Sequence, residues 1–147
     1  MTIQCPRDGA ELKSRTYEAN VEIDECPSCG GTFLDRGELE RIQAAVENDH
    51  RREVAKPVDT VLEERQAERE EALPLIDCPK CSHSMERRRY GLGSMTVIDV
   101  CPEGDGIWLD RGELQALERF YERSQGEVAI PISWRIWAAV RGALRKR

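Results

Sequence analysis

Six cysteines fall into two near-copies of one pattern. Cys5 and Cys26-Pro27-Ser28-Cys29 precede Leu34-Asp35-Arg36-Gly37-Glu38-Leu39, and Cys78-Pro79-Lys80-Cys81 and Cys101 precede Leu109-Asp110-Arg111-Gly112-Glu113-Leu114. The chain therefore reads as a tandem repeat of a small cysteine-stapled module. A two-residue spacer lets a turn aim both thiolates at one ion with Zn–S distances near ~2.3 Å, and a second knuckle further along the chain closes the tetrahedron. Two zinc ions per chain are expected.

The repeat and the charged stretch between its copies divide the 147 residues into two ribbon units, 1–47 and 76–124, a linker 48–75 and a tail 125–147. Units of this size rarely bury enough apolar surface to fold unaided. A structural zinc site supplies folding free energy on the order of ~10 kcal/mol, so the ion is expected to be a folding requirement.

The formal net charge of −6 divides into −11 over residues 1–132 and +5 over residues 133–147, where Arg135, Arg141, Arg145, Lys146 and Arg147 meet no acid. Modules that bind duplex nucleic acid usually carry a basic footprint. These modules are acidic, which makes nucleic acid the secondary expectation. Met1-Thr2-Ile3-Gln4 lacks the basic segment and apolar run of a secretory signal, and no run of about 18 apolar residues is present to span a bilayer. A cytoplasmic protein with reduced thiols is expected, and there the knuckle spacing favours metal over disulfides.

Alternation predicts strands over Leu12–Tyr17 and Val21–Glu25 in the first copy and over Met85–Tyr90 and Met95–Val100 in the second. Asp35 and Glu38, and Asp110 and Glu113, form capping signatures in which the aspartate would accept from the free first-turn amides. A helix from Arg36 with Leu39, Ile42 and Val46 on one side, and a second with Leu114, Leu117 and Tyr121, are predicted. Between the copies, Glu63 to Glu71 suits a helix but offers few apolar anchors beyond Leu62 and Leu73, so a solvated helical spacer is expected. The predicted fold class is a small metal-stapled α+β protein: two tandem zinc ribbons, each with a trailing helix, a charged helical linker and a C-terminal amphipathic helix.

Cys-Pro-x-Cys, a hairpin, a second Cys-Pro-x-Cys-Gly-Gly and Leu-Asp-Arg-Gly-Glu-Leu resemble the bacterial transcription-factor zinc-finger family, whose fold is likened to the zinc ribbon of the general transcription factor TFIIB. The resemblance covers residues 3–47 and 76–122, about two thirds of the chain, with the six-residue signature present twice unchanged. It implies a transcription-linked role, although a shared fold does not carry function with it. Carrying over the family's ligand positions gives Cys5, Asp8, Cys26 and Cys29 for the first site, and Cys78, Cys81 and Cys101 for the second. Asp8 stands where a fourth cysteine would be, and a carboxylate oxygen binds zinc at ~2.0–2.2 Å; the alternative is that it opens the Asp8-Gly9 turn while water fills the place. Gly104 stands at the corresponding place in the second site, leaving Asp105 as leading candidate and His83 as runner-up.

Redox Cys-x-x-Cys pairs belong at helix N-termini, where the dipole lowers one thiol pKa. Here Gly30-Gly31 and Ser82-His83-Ser84 follow the pairs, and no general base stands at a recognisable spacing, so a non-enzymatic protein is expected. Arg87-Arg88-Arg89 is the one basic cluster inside a module and reads as a solvated or salt-bridged edge strand. In the tail, Ser133 caps a predicted helix on which Ile136, Trp137, Val140, Ala143 and Leu144 share a side. Trp134, Trp137, Arg141 and Leu144 are the expected contact with a protein partner. Packing back on the acidic body, or peripheral contact with an anionic membrane or nucleic acid, are the alternatives. The sequence therefore predicts an adaptor or regulator acting through protein partners, with a nucleic-acid-binding regulator using Arg87–Arg89 and the tail as the alternative.

Overall fold

Three short strands from each repeat build one antiparallel sheet in the order β1-β2-β3-β6-β5-β4. In the first repeat these are β1 (Lys13–Thr16), β2 (Glu22–Glu25) and β3 (Thr32–Asp35), and in the second β4 (Glu86–Arg89), β5 (Val97–Val100) and β6 (Gly106–Leu109). Helices α1 (Glu38–Ala45), α2 (Thr60–Glu71) and α3 (Glu113–Ser124) complete the fold. The computed structural model describes residues 2–17, 20–45, 60–90 and 94–124. Trp134, Trp137, Arg141 and Leu144, the whole predicted tail helix, and Val46 lie outside the described residues.

The repeats join where β3 pairs with β6, and the register is self-complementary: Phe33 lies opposite Trp108, the residue that occupies its own place in the second copy. A local two-fold axis therefore passes between the repeats. Strand pairing alternates side chains between faces. Leu34, Ile107, Leu109, Ile98 and Val100 enter the core on one face with Leu39 and Ile42 of α1 and Leu114 and Leu117 of α3. Phe33 and Trp108 turn to the other face and pack with Cys5, Cys26, Cys78 and Cys101. The sheet thus separates a helix side from a cysteine side.

Two glycines make the strand junction possible. A Cβ on Gly31 would stand 2.2 Å from Cζ2 of Trp108, and one on Gly106 would stand 2.2 Å from the carbonyl oxygen of Leu34 and 2.6 Å from Cζ of Phe33. Each repeat leaves room for the aromatic ring of the other, and Phe33 and Trp108 are both fully buried.

Two expectations change. The helices begin at Glu38 and Glu113, because Gly37 and Gly112 sit at φ +86 before them and hold the chain out of the helix. The spacer helix α2 is not merely solvated: Ala67 is buried completely against the body, whereas Leu62 is 61% exposed. Ion pairs hold α2 there, since Arg89 reaches Glu64 at 2.8 Å and Glu71 at 2.7 Å, and Arg87 donates to the carbonyls of Leu73 and Pro74.

Candidate metal centres

Each repeat gathers three thiols and one carboxylate. Cys5, Asp8, Cys26 and Cys29 bring one donor atom each within 4.8 Å of one another, and so do Cys78, Cys81, Cys101 and Asp105. The Sγ atoms of Cys5 and Cys29 are 3.6 Å apart and those of Cys81 and Cys101 are 3.5 Å apart. Asp8 approaches Cys26 Sγ at 3.5 Å, and Asp105 approaches Cys101 Sγ at 3.5 Å and Cys78 Sγ at 3.8 Å. His83 is exposed and belongs to neither group, although its carbonyl accepts from the amide of Cys78 at 2.8 Å.

Four tight turns position these donors. In three of them the amide four residues on donates back to the cysteine carbonyl: Gly9 to Cys5, Gly30 to Cys26 and Ser82 to Cys78. Gly9, Gly30 and Ser82 accordingly occupy the left-handed region. The fourth turn is one residue tighter, with Gly104 donating to Cys101 at 3.1 Å and itself left-handed at φ +82. That tightening places Asp105 where the loop faces the thiols. Asp8 does double duty: its carboxylate accepts from the amide of Ala10 at 2.9 Å while turned to Cys26, so the turn and the approach to the thiols coexist.

The chemistry of both groups fits a zinc ion. Amides of Arg7 and Gly31 point at Cys5 and Cys29 Sγ at 3.4 Å, which favours the thiolate form there. Burial opposes it and dominates, raising the thiol of Cys5 strongly and pushing Cys81 up to about 11. Two buried thiols and a half-buried one, beside a carboxylate whose pKa is lowered, by the Ala10 amide at Asp8 and by Cys81 at Asp105, are a set that a divalent cation would deprotonate and hold. The two centres are thereby each able to hold one zinc.

The signature Leu-Asp-Arg-Gly-Glu-Leu finds its physical role at the junction between repeats. Glu38 and Glu113 accept from the amides of Asp35 and Asp110 at 2.7 Å, the return half of a capping box. Contrary to the capping role expected from the sequence, the carboxylates of Asp35 and Asp110 face the opposite repeat. Arg7, from the first knuckle of the first copy, makes a bidentate pair with Asp110 at 3.1 and 3.0 Å, and Lys80, from the matching knuckle of the second copy, pairs with Asp35. Asp110 also accepts from the Trp108 indole at 2.9 Å. Arg7 lies 3.6 Å from Asp99, which Arg87 binds at 3.0 Å; the Asp99 side chain is 3% exposed, and its pKa is raised because burial outweighs both cations. The Arg87–Arg89 strand is therefore a salt-bridged edge, Arg88 being half-buried on the helix side.

A cleft of about 390 Å³ between α2 and α3, with Leu62, Met95, Ala116 and Phe120 along it and Glu113 in its wall, contains none of the cysteines. No helix among the described residues is long and apolar enough to cross a membrane. A family model described as transcription factor zinc-finger matches residues 4–45 and again residues 77–119, more than half of the chain. No curated protein and no solved structure matches it.

Proposed function

From the premise that the chain belongs to the transcription factor zinc-finger family, in two tandem copies, we propose that it is a non-enzymatic, two-zinc adaptor or regulator acting through protein partners. The observation that carries this reading is the donor set of each centre, three thiols and one carboxylate gathered within 4.8 Å of one another. Catalytic zinc keeps an open position for water or substrate, whereas four protein donors in a small core make a staple. The ligands in this reading are Cys5, Asp8, Cys26 and Cys29, and Cys78, Cys81, Cys101 and Asp105. A transcription-linked role is what the family's description offers, and a cytoplasmic setting is consistent with six unpaired cysteines.

Protein rather than nucleic acid is the favoured partner class because Arg87 and Arg89 of β4 are already engaged by Asp99, Glu64 and Glu71 and Arg88 is half-buried, leaving an acidic body. The proposed contact is the tail, with Trp137 as anchor beside Trp134, Arg141 and Leu144. Buried aromatic anchors flanked by arginine are where binding energy concentrates, so Trp137→Ala is expected to cost at least ~2 kcal/mol of partner affinity with zinc content unchanged. Affinity capture with and without residues 133–147, followed by calorimetry on the captured partner, measures this. A loss of stability with binding intact would place the tail in the fold instead. Binding to DNA or RNA that weakens steeply with salt would establish the competing reading.

A further inference from the structure

The geometry points to the two metal centres loading as one unit, with Arg7 and Lys80 as the positioning residues through which an ion at one centre strengthens binding at the other. The inference rests on the zinc reading above.

Arg7 stands between the donors Cys5 and Asp8, and Lys80 between the donors Cys78 and Cys81, so the turn that presents each pair of donors also presents a cation. The direct contacts of each cation lie outside its own repeat. The Arg7 guanidinium spans Asp110 and the buried Asp99 of the second copy and donates to the carbonyl of Pro74 at 2.6 Å. Lys80 pairs with Asp35 of the first copy and lies 5.8 Å from the centre of the Phe33 ring. The second knuckles repeat the exchange: the amide of Arg36 donates to the carbonyl of Asp105 at 3.2 Å, and the side chain of Arg111 lies over Gly30. Every knuckle is buttressed by the repeat whose ion it does not bind.

Without an ion, the turn at residues 5–8 keeps the Gly9–Cys5 backbone bond and the Ala10–Asp8 bond but loses the link that ties it to Cys26 and Cys29, and the placement of Arg7 loses its staple. Asp99 and Asp110 then lose a cation in the second repeat, beside the β6 strand that carries Trp108 into the core shared by cysteines of both centres. An ion at the first centre thereby favours the conformation that the second requires. Coupling of binding is reciprocal, so the same factor acts in the other direction through Lys80. The Arg7 arm is the stronger, because its side chain is 14% exposed against 36% for Lys80, and bidentate guanidinium pairing fixes geometry that an ammonium does not.

Native mass spectrometry of the full chain, titrated with zinc against a competing chelator, counts chains with no, one and two ions. At half saturation two independent and equal centres leave about half the chains with a single ion, and unequal ones leave more; tenfold coupling lowers that share to about a quarter. The native chain is expected to fall well below half. Arg7→Ala with Lys80→Ala is expected to return the single-ion species to half or above, and Arg7→Lys alone to give an intermediate share. A native chain with half or more of its molecules singly loaded overturns the inference, and that measurement needs no variant to fold. A double variant that folds and still shows the native distribution overturns the assignment to Arg7 and Lys80. A chain that binds no zinc refutes the metal reading instead.

Discussion

The two ribbons reach one donor set by opposite routes. In the first, the carboxylate comes from the first knuckle, Cys5-Pro6-Arg7-Asp8, and the second knuckle supplies two thiols; in the second, the first knuckle supplies two thiols and the carboxylate comes from Cys101-Pro102-Glu103-Gly104-Asp105. The backbone accommodates the exchange at a single point, where the left-handed residue moves from the place after the donor, Gly30, to the place before it, Gly104. What is retained between the copies is the donor chemistry and the junction, not the position of each ligand. Three thiols and a carboxylate suffice for zinc, while the pairing of β3 with β6 tolerates no such exchange.

The largest expected effect treats both ribbons alike. Removing zinc with a chelator should collapse the sheet in both repeats together, a loss on the order of ~10 kcal/mol, while part of the helical signal persists. Circular dichroism combined with hydrogen exchange on β2 and β5 checks this. A sheet that survives in one repeat alone would divide the molecule into independent ribbons. Acid should have the same effect in milder form: burial raises the thiols of Cys5, Cys29, Cys78, Cys81 and Cys101, so zinc must displace protons and is held less tightly as pH falls.

Next in size are the paired glycines. Gly106→Ala would drive a methyl into the backbone of Leu34, and Gly31→Ala would drive one into the ring of Trp108. Overpacking of this kind costs roughly 1–3 kcal/mol, and Gly106 should stand at the upper end because a carbonyl cannot swing aside as a side chain can. Gly9, left-handed with open space around it, should lose only the backbone preference, about 1 kcal/mol. Urea unfolding at fixed zinc ranks the three. Equal losses would mean that the strand junction is looser than its geometry implies.

Much of this was legible before any coordinates, and the misses share one cause. Repeats, knuckles, outer strands and trailing helices rest on contacts between neighbours in sequence, which spacing records. β3 and β6 escape the sequence reading because each pairs with the other across the repeats, a contact that spacing within one copy does not record. Asp35 and Asp110 were read as caps because an Asp-x-x-Glu pattern gives the local answer; their partners, Lys80 and Arg7, are distant in the chain. Ala67 of α2 was overlooked because nothing in a charged helix distinguishes an alanine that meets a sheet from one that meets water. Asp105 was found one place beyond its family position because the residue there, Gly104, carries no donor.

At the centres themselves the comparison can be sharpened by exchange. Asp8→Cys gives the first ribbon four thiols and should tighten its zinc several-fold, whereas Asp8→Ala and Asp105→Ala should each weaken the affected centre by at least the ~10–100-fold that losing a mere supporting partner of a ligand costs. His83→Ala should leave both centres unchanged, since its ring belongs to neither group. Competition with a chromogenic chelator reads all four variants. Equal affinity across the Asp8 variants would give the fourth place to water.

The smallest expected effect separates the two signature glutamates. Glu38 and Glu113 accept the same backbone bond and are both buried, and burial raises the pKa of each. Their surroundings differ: Glu38 has Arg41 at 4.0 Å, while Glu113 faces Glu70 of α2, and burial together with that like charge pushes it up to about 10 from its ordinary 4.5. A carboxyl whose folded pKa is raised binds its proton more tightly in the native state. Its contribution is complete below pH 4.5 and is lost as pH rises toward 10. Glu113→Gln keeps an oxygen for the Asp110 amide and offers Glu70 a donor, so it should stabilise the chain by about 1 kcal/mol at pH 8 and flatten the alkaline fall in stability. Glu38→Gln, at a carboxyl raised by burial and by Asp35 and Asp24 but with Arg41 beside it, should do both to a smaller extent. Thermal unfolding from pH 6 to pH 9 with saturating zinc compares them, and identical profiles for the two variants would show that α2 contributes nothing to the difference between the ribbons.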